Sequence, residues 1–175
     1  MLKNKTLLKI KGEKMELVIG TYNVCHCANY ADKKDGVLPV NIEKTASIFS
    51  KFDIAGANEV YKDSLKEELI NQTEKLSNFS GLKYSIFGLG KLFTWGDSIG
   101  NAIFSKYPIV ESKTFFVPEP TDEEKRPEEK DWYEDRIIVK ATVDVGRKID
   151  YISTHFGLNL LEQERIVAKL VEILD

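Results

Sequence analysis

A chain of 175 residues, 42% hydrophobic and 30% charged, carries enough apolar material for one domain with a real core, which excludes a disordered or fibrous polypeptide. A formal charge of -3 provides no global attraction to nucleic acid or anionic lipid, so only a local basic groove could serve either. Cys25 and Cys27, one residue apart in an extended segment, are badly placed for a mutual disulfide. They point to reduced thiols and a cytoplasmic setting. Cys25-His26-Cys27 has no second ligand pair after it, and His155 is the other histidine, which argues against a structural zinc.

Residues 1–15 hold five lysines against one glutamate. Lys9 interrupts Leu7, Leu8 and Ile10, so the segment has no signal-peptide core, and no stretch is apolar for the roughly 18 residues of a membrane span. It is expected to be a loose basic leader, with Met15 an alternative start and residues 16–175 forming the domain. Glu16 to Val24 predicts a first strand that delivers Asn23 near its end. A polar loop with Asp32, Asp35, Gly36 and Pro39 follows. Asn41 can cap a helix running to about Lys51, with Ile42, Ala46 and Phe49 on one apolar face. Ile54 to Ala57 is a short apolar run without alternation, the pattern of a strand covered on both faces, and it is expected to end on Asn58 and Glu59. A carboxylate at the carboxyl end of such a strand is well sited to hold a metal or a substrate; the plainer alternative is the first solvated residue after a core strand.

Ser64-Leu65-Lys66-Glu67 is a capping-box pattern that would open a second helix to about Leu76. The period then changes to two: Leu82, Tyr84 and Ile86 alternate with Lys83 and Ser85 as a half-buried strand. A glycine-rich connection (Gly88, Gly90, Gly96) leads to a strand from Gly100 to Ser105, closed by Tyr107-Pro108. Thr121 to Asp135 carries eight acids and three bases and reads as a solvated loop. Val139, Ala141, Val143 and Val145 alternate with polar residues as an antiparallel strand, Gly146-Arg147 suits a type II′ turn, and Ile149 to Thr154 returns. A last helix, about Leu160 to Leu174, is expected to bury Val167, Leu170, Val171 and Leu174.

Read together, Thr21-Tyr22-Asn23-Val24, Ala57-Asn58-Glu59-Val60 and Ser153-Thr154-His155-Phe156-Gly157-Leu158 resemble, in the right order, the motifs of the endonuclease/exonuclease/phosphatase superfamily, the DNase I-like metal-dependent phosphoesterases. The run from Gly100 to Ile109 resembles that superfamily's Gly-x-Ala-Ile-Leu-Ser-Arg-x-Pro-Ile strand, and Glu134-Asp135-Arg136 its Glu-x-Arg. The usual Gln before the glutamate is Asn58 here, one methylene shorter with the amide kept. The resemblance covers the first half of the pattern and a little more; the later Gly-Asp-x-Asn and terminal Asp-His motifs have no counterpart.

The resemblance implies an α/β (α+β) fold, part of a DNase I-like four-layer sandwich in which two mainly antiparallel sheets pack face to face with helices outside. It also implies hydrolysis of a phosphoester with Mg2+, or Mn2+ in its place, held by Glu59 and Asn23. His155 would contact the scissile phosphate, and Arg136 would clamp it. The substrate could be nucleic acid, phospholipid or a small molecule. Plainer roles stand beside each residue: an Asx turn for Asn23, a core imidazole for His155, pairing with Glu134 or the acidic loop for Arg136, and loop fixing for Asn101. Trp95 and Trp132 could stack on a ligand or cover a core edge. A second reading, from a different class, is a catalytically silent fragment or binding module that self-associates through an uncovered sheet.

Overall fold

The computed structural model describes residues 2–10, 13–36, 38–62, 71–94, 96–129 and 133–175, with the backbone alone for residues 2–10, 13–15 and 32. Trp95, Trp132 and the capping-box pattern at 64–67 lie outside them. The strands are β1 (Leu2–Ile10), β2 (Glu13–Asn23), β3 (Ile54–Lys62), β4 (Tyr84–Leu92), β5 (Ser98–Ser105), β6 (Ile109–Val117), β7 (Arg136–Asp144) and β8 (Lys148–Thr154); the helices are α1 (Ile42–Phe49), α2 (Gln72–Ser80) and α3 (Leu160–Leu174). One sheet has the order β1-β2-β3-β5-β4, the other β6-β7-β8. Every pairing is antiparallel except β2 with β3, whose connection runs through α1. Among the described residues no helix is long and apolar enough to cross a membrane.

Three apolar clusters define four layers. Ala46, Phe49, Ala55, Ala57, Leu76 and Phe104 join α1 and α2 to the five-stranded sheet. Leu17, Ile54 and Ile103 meet Val139, Ala141 and Val143 between the sheets. Ile166, with Leu170 and Ile173 against it, joins α3 to Ile138 on the outer face of the three-stranded sheet. The middle strands are thus covered on both faces, as the unbroken apolar run in β3 demands.

Several expectations change. Residues 2–10 of the segment read as a loose basic leader form β1, paired along its length with β2, which itself begins at Glu13. Of the glycines read as a connection, Gly88 and Gly90 lie inside β4, where the sheets approach closely (a Cβ on Gly88 would stand 2.5 Å from Val139 Cγ2), and Gly96 alone is in the turn between β4 and β5. β6 carries no alternating signal because it is an edge strand whose residues are mostly exposed. The hairpin after β7 is a three-residue loop, since Asp144 pairs with Lys148 and Val145 N donates to Arg147 O at 3.0 Å; Gly146 supplies its positive φ of 86°. In α3 the apolar residues come in adjacent pairs (Ile166-Val167, Leu170-Val171, Ile173-Leu174), so two stripes satisfy the helical period. The buried stripe is Ile166, Leu170 and Ile173, whereas Val167, Val171 and Leu174 are exposed. The rotation follows from Glu162, which is buried on the inward face as the ion-pair partner of Arg136.

Candidate active site

Asn23 ends β2, and the parallel register sets it beside Asn58, one residue before Glu59. Glu59 does not close its strand as expected: β3 continues to Lys62, and the carboxylate sits where the register with β5 slips by one residue between Ala57 and Val60. Its φ is +57°, a left-handed conformation unusual for a non-glycine residue in a strand. This bulge turns Glu59 out of the alternation that buries Ala55 and Ala57 toward the helices. Asn23 Nδ2 donates to Glu59 Oε1 at 2.7 Å, and Asn23 Oδ1 accepts from Cys25 N at 2.8 Å. His155, the first residue after β8, brings Nε2 to 3.8 Å from the same Glu59 oxygen.

That contact is too long for a hydrogen bond, and it is not an ion pair. Burial is the main influence on the imidazole and lowers its pKa; Arg136 adds to the effect, while Glu59 and Glu134 oppose it. His155 is therefore predominantly neutral at neutral pH and offers one donor and one acceptor nitrogen.

Beneath these residues lies a layer of amides. Asn58 is buried and donates through Nδ2 to Asn101 Oδ1 at 3.0 Å; Asn101 Nδ2 donates to Ile137 O at 3.3 Å. Thr154 Oγ1 donates to that same carbonyl at 2.8 Å, which ties the residue before His155 to the layer under Glu59. On the other side, Cys25, His26 and Cys27 all take positive φ (45°, 45° and 60°) in a tight turn. Gln72, fully buried at the start of α2, clamps it: Nε2 donates to His26 O at 2.9 Å, and Oε1 accepts from Tyr61 N at 3.0 Å. The Cys25 thiol lies 3.2 Å from the Tyr30 hydroxyl, and this hydrogen bond is the main cause of the raised pKa of that phenol.

A cleft of about 160 Å³ opens over Glu59, Asn101 and His155, with Arg136, Lys91 and Phe93 in its walls. Asn23, Glu59 and His155, foreseen on three separate segments, are thus brought together. Arg136 lies at the same cleft but takes the pairing role weighed for it in the sequence: Nε donates to Glu162 Oε1 at 3.0 Å and Nη2 stands 3.1 Å from Glu134 Oε2, with the residue 9% exposed. Gln72, Lys91, Phe93 and Tyr30 were not foreseen. Gln72 belongs to no periodic face that would mark it, and Lys91 is indistinguishable from a solvated strand lysine until β4 is paired. Among the described residues no three His, Cys, Asp or Glu side chains converge as a ligand set. The hard oxygens presented here are those of the Glu59 carboxylate; Asn23, expected to share a metal with it, turns its Nδ2 to Glu59 and its Oδ1 to the Cys25 amide, so it orients the carboxylate.

No family model matches this sequence, and no curated protein matches it either. Its structure does have counterparts. The endonuclease/exonuclease/phosphatase from Beutenbergia cavernae DSM 12333 superposes with a TM-score of 0.70 at 21% identity, covering 91% of this chain and 44% of that one. This is the endonuclease/exonuclease/phosphatase fold. A protein named for the same family from Leptotrichia buccalis C-1013-b shares the fold (TM-score 0.54, 16% identity, 87% of this chain and 61% of that one). So does the mannosyl-6-phosphatase Bt3783 of Bacteroides thetaiotaomicron VPI-5482 (TM-score 0.56, 17% identity, 90% and 60%). The chain spans between 44% and 61% of the length of these proteins.

Proposed function

We propose that the chain is a magnesium-dependent phosphoester hydrolase, or the part of one that carries its glutamate and histidine. The observation that supports this is the bulged Glu59, hydrogen-bonded to Asn23 at 2.7 Å with the His155 imidazole 3.8 Å away. A non-glycine residue held at positive φ costs of order 1 kcal/mol or more, and such strain collects at working sites. The donor set suits the ion, because magnesium accepts one or two protein oxygens and completes its shell with water and phosphate oxygens. When bound, it would neutralise charge on the phosphoryl group. Glu59 would hold it, and Asn23, fixed through the Cys25 amide, keeps the carboxylate in one orientation. His155, neutral and half-buried, would hydrogen-bond a phosphoryl oxygen, and the hydrogen-bonded, buried amides of Asn58 and Asn101 support the site from beneath. The test is hydrolysis of p-nitrophenyl phosphate and bis-p-nitrophenyl phosphate with magnesium and with chelator. Chelator-sensitive turnover that falls about a hundredfold or more in Glu59→Gln is the expected result; turnover indifferent to both overturns the reading.

The exposed stripe Leu160, Val167, Val171 and Leu174 on α3 favours one other reading, a silent module that associates through its apolar surface. Sedimentation showing a stable oligomer, with no turnover under any metal, would favour it.

A further inference from the structure

Two bulges face each other across β5. The register of β3 with β5 gains a residue between Ala57 and Val60, and that of β4 with β5 gains one between Leu89 and Lys91. Both shifts end at the same place, since Val60 and Leu89 each pair with Gly100. Gly100 fits there because an added Cβ would strike the Gly88 carbonyl oxygen. A bulge re-aims the side chain beside it. In β3 the residue re-aimed is Glu59. In β4 the extra residue is Gly90, and Lys91 is left opposite Ile99, so both leave the sheet on one face; both line the cleft. Lys91 Nζ stands 5.5 Å from the centre of the Phe93 ring, a cation–π contact that holds it on the wall.

The charge around the cleft makes this lysine matter. Glu59, Glu134 and Asp135 line it as acids, and two of the three guanidinium nitrogens of Arg136, Nε and Nη2, are taken by Glu162 and Glu134. Among the described residues Lys91 has no carboxylate partner, so its whole charge is available to a ligand in the cleft, whereas that of Arg136 is largely neutralised by Glu162 and Glu134. We propose that Lys91, steadied by Phe93, is a specificity-determining residue of this cleft, and that the cleft takes the dianion of a phosphomonoester in preference to the monoanion of a phosphodiester. The inference rests on the phosphoester reading above and names the substrate class within it. Discrimination is a difference of two affinities, and a second negative charge gains from Lys91 what a single charge gains only in part.

The test uses non-hydrolysable probes, phenylphosphonate as the dianion and methyl phenylphosphonate as the monoanion, titrated into the whole chain with magnesium at about pH 8 and followed at the Lys91 and Phe93 amides by NMR. The wild-type chain should bind phenylphosphonate more tightly, Lys91→Ala should lose about fivefold on it and much less on the monoanion, and Lys91→Arg should restore the preference. Equal losses on both probes, an unchanged Lys91→Ala, or no perturbation of these amides in the wild type would each overturn the proposal. Binding at Lys91 without chelator-sensitive turnover would remove hydrolysis and leave the site. Turnover with no Lys91-dependent preference would do the reverse.

Discussion

β3 is two strands in one. Its first half, Ile54 to Ala57, is wholly buried, pairs in regular register on both sides, and alternates its side chains between the helical layer and the second sheet. Its second half, Asn58 to Lys62, slips register, places a carboxylate at positive φ and is held by side-chain amides from Asn23, Asn101 and Gln72. The dry half is stabilised by close packing, which is non-directional and tolerates no added volume. The wet half is stabilised by hydrogen bonds, which are directional and can hold a strained residue where packing alone would release it. One strand thus separates foldability from chemistry within a few residues, and disturbances of the two halves should be read out differently.

The largest effect is expected at Gln72. Gln72→Leu keeps the volume but leaves the His26 carbonyl and the Tyr61 amide without their partner, at about 3 kcal/mol of stability for two buried groups. If the proposed magnesium site is right, it should also weaken magnesium binding, because the turn that fixes Asn23 is no longer clamped. Urea unfolding and isothermal titration with magnesium would show both losses; a variant destabilised with unaltered metal affinity would mean that Gln72 serves the fold alone. Gly56→Ala probes the dry half. Its Cβ would stand 2.6 Å from Ser153 Oγ and 3.0 Å from Tyr151 Oη, so the sheets must part slightly, at about 2 kcal/mol. Here the urea midpoint should fall while magnesium affinity stays as it was. A parallel loss of affinity would show that the halves are coupled.

The same division explains what could be read in advance. The dry half is written in residue type and period: the apolar run of β3, the alternation of β7, and the Asn41 cap with Ile42, Ala46 and Phe49 on α1 were all legible, because burial acts residue by residue. Asn23, Glu59 and His155 were legible through motif resemblance, and the fold brings the ends of β2 and β8 to the bulge in β3. What could not be read depends on pairing. A bulge belongs to two strands at once, so neither the backward turn of Glu59 nor the aim of Lys91 is present in any single segment. The edge strand β6 has no buried partner face to impose alternation, and α3 offered two equivalent apolar stripes until the buried Arg136–Glu162 pair chose between them. Gln72 was invisible for the same reason, since its partners lie 46 and 11 residues away in sequence.

The smallest effect at neutral pH sharpens the dry half by titrating it. Tyr151 reaches across the sheets and donates to Gly20 O at 2.7 Å, and burial pushes its pKa up to about 12. An unfolded tyrosine ionises near pH 10. Between those values the unfolded chain has released this proton and the folded one has not, so the contribution of the protonated phenol to stability is complete below about pH 10 and declines as pH rises toward 12, by roughly 3 kcal/mol in all. Tyr151→Phe should cost about 1 kcal/mol at pH 7, the net worth of one hydrogen bond. It should then lose less stability than the wild type on the alkaline side, so that the two curves of urea midpoint against pH converge or cross. Lysines titrate in the same range in both chains and cancel in the comparison. Curves that stay parallel above pH 10 would mean that water reaches Tyr151, and that the half of the molecule assigned to dry packing is open at its centre.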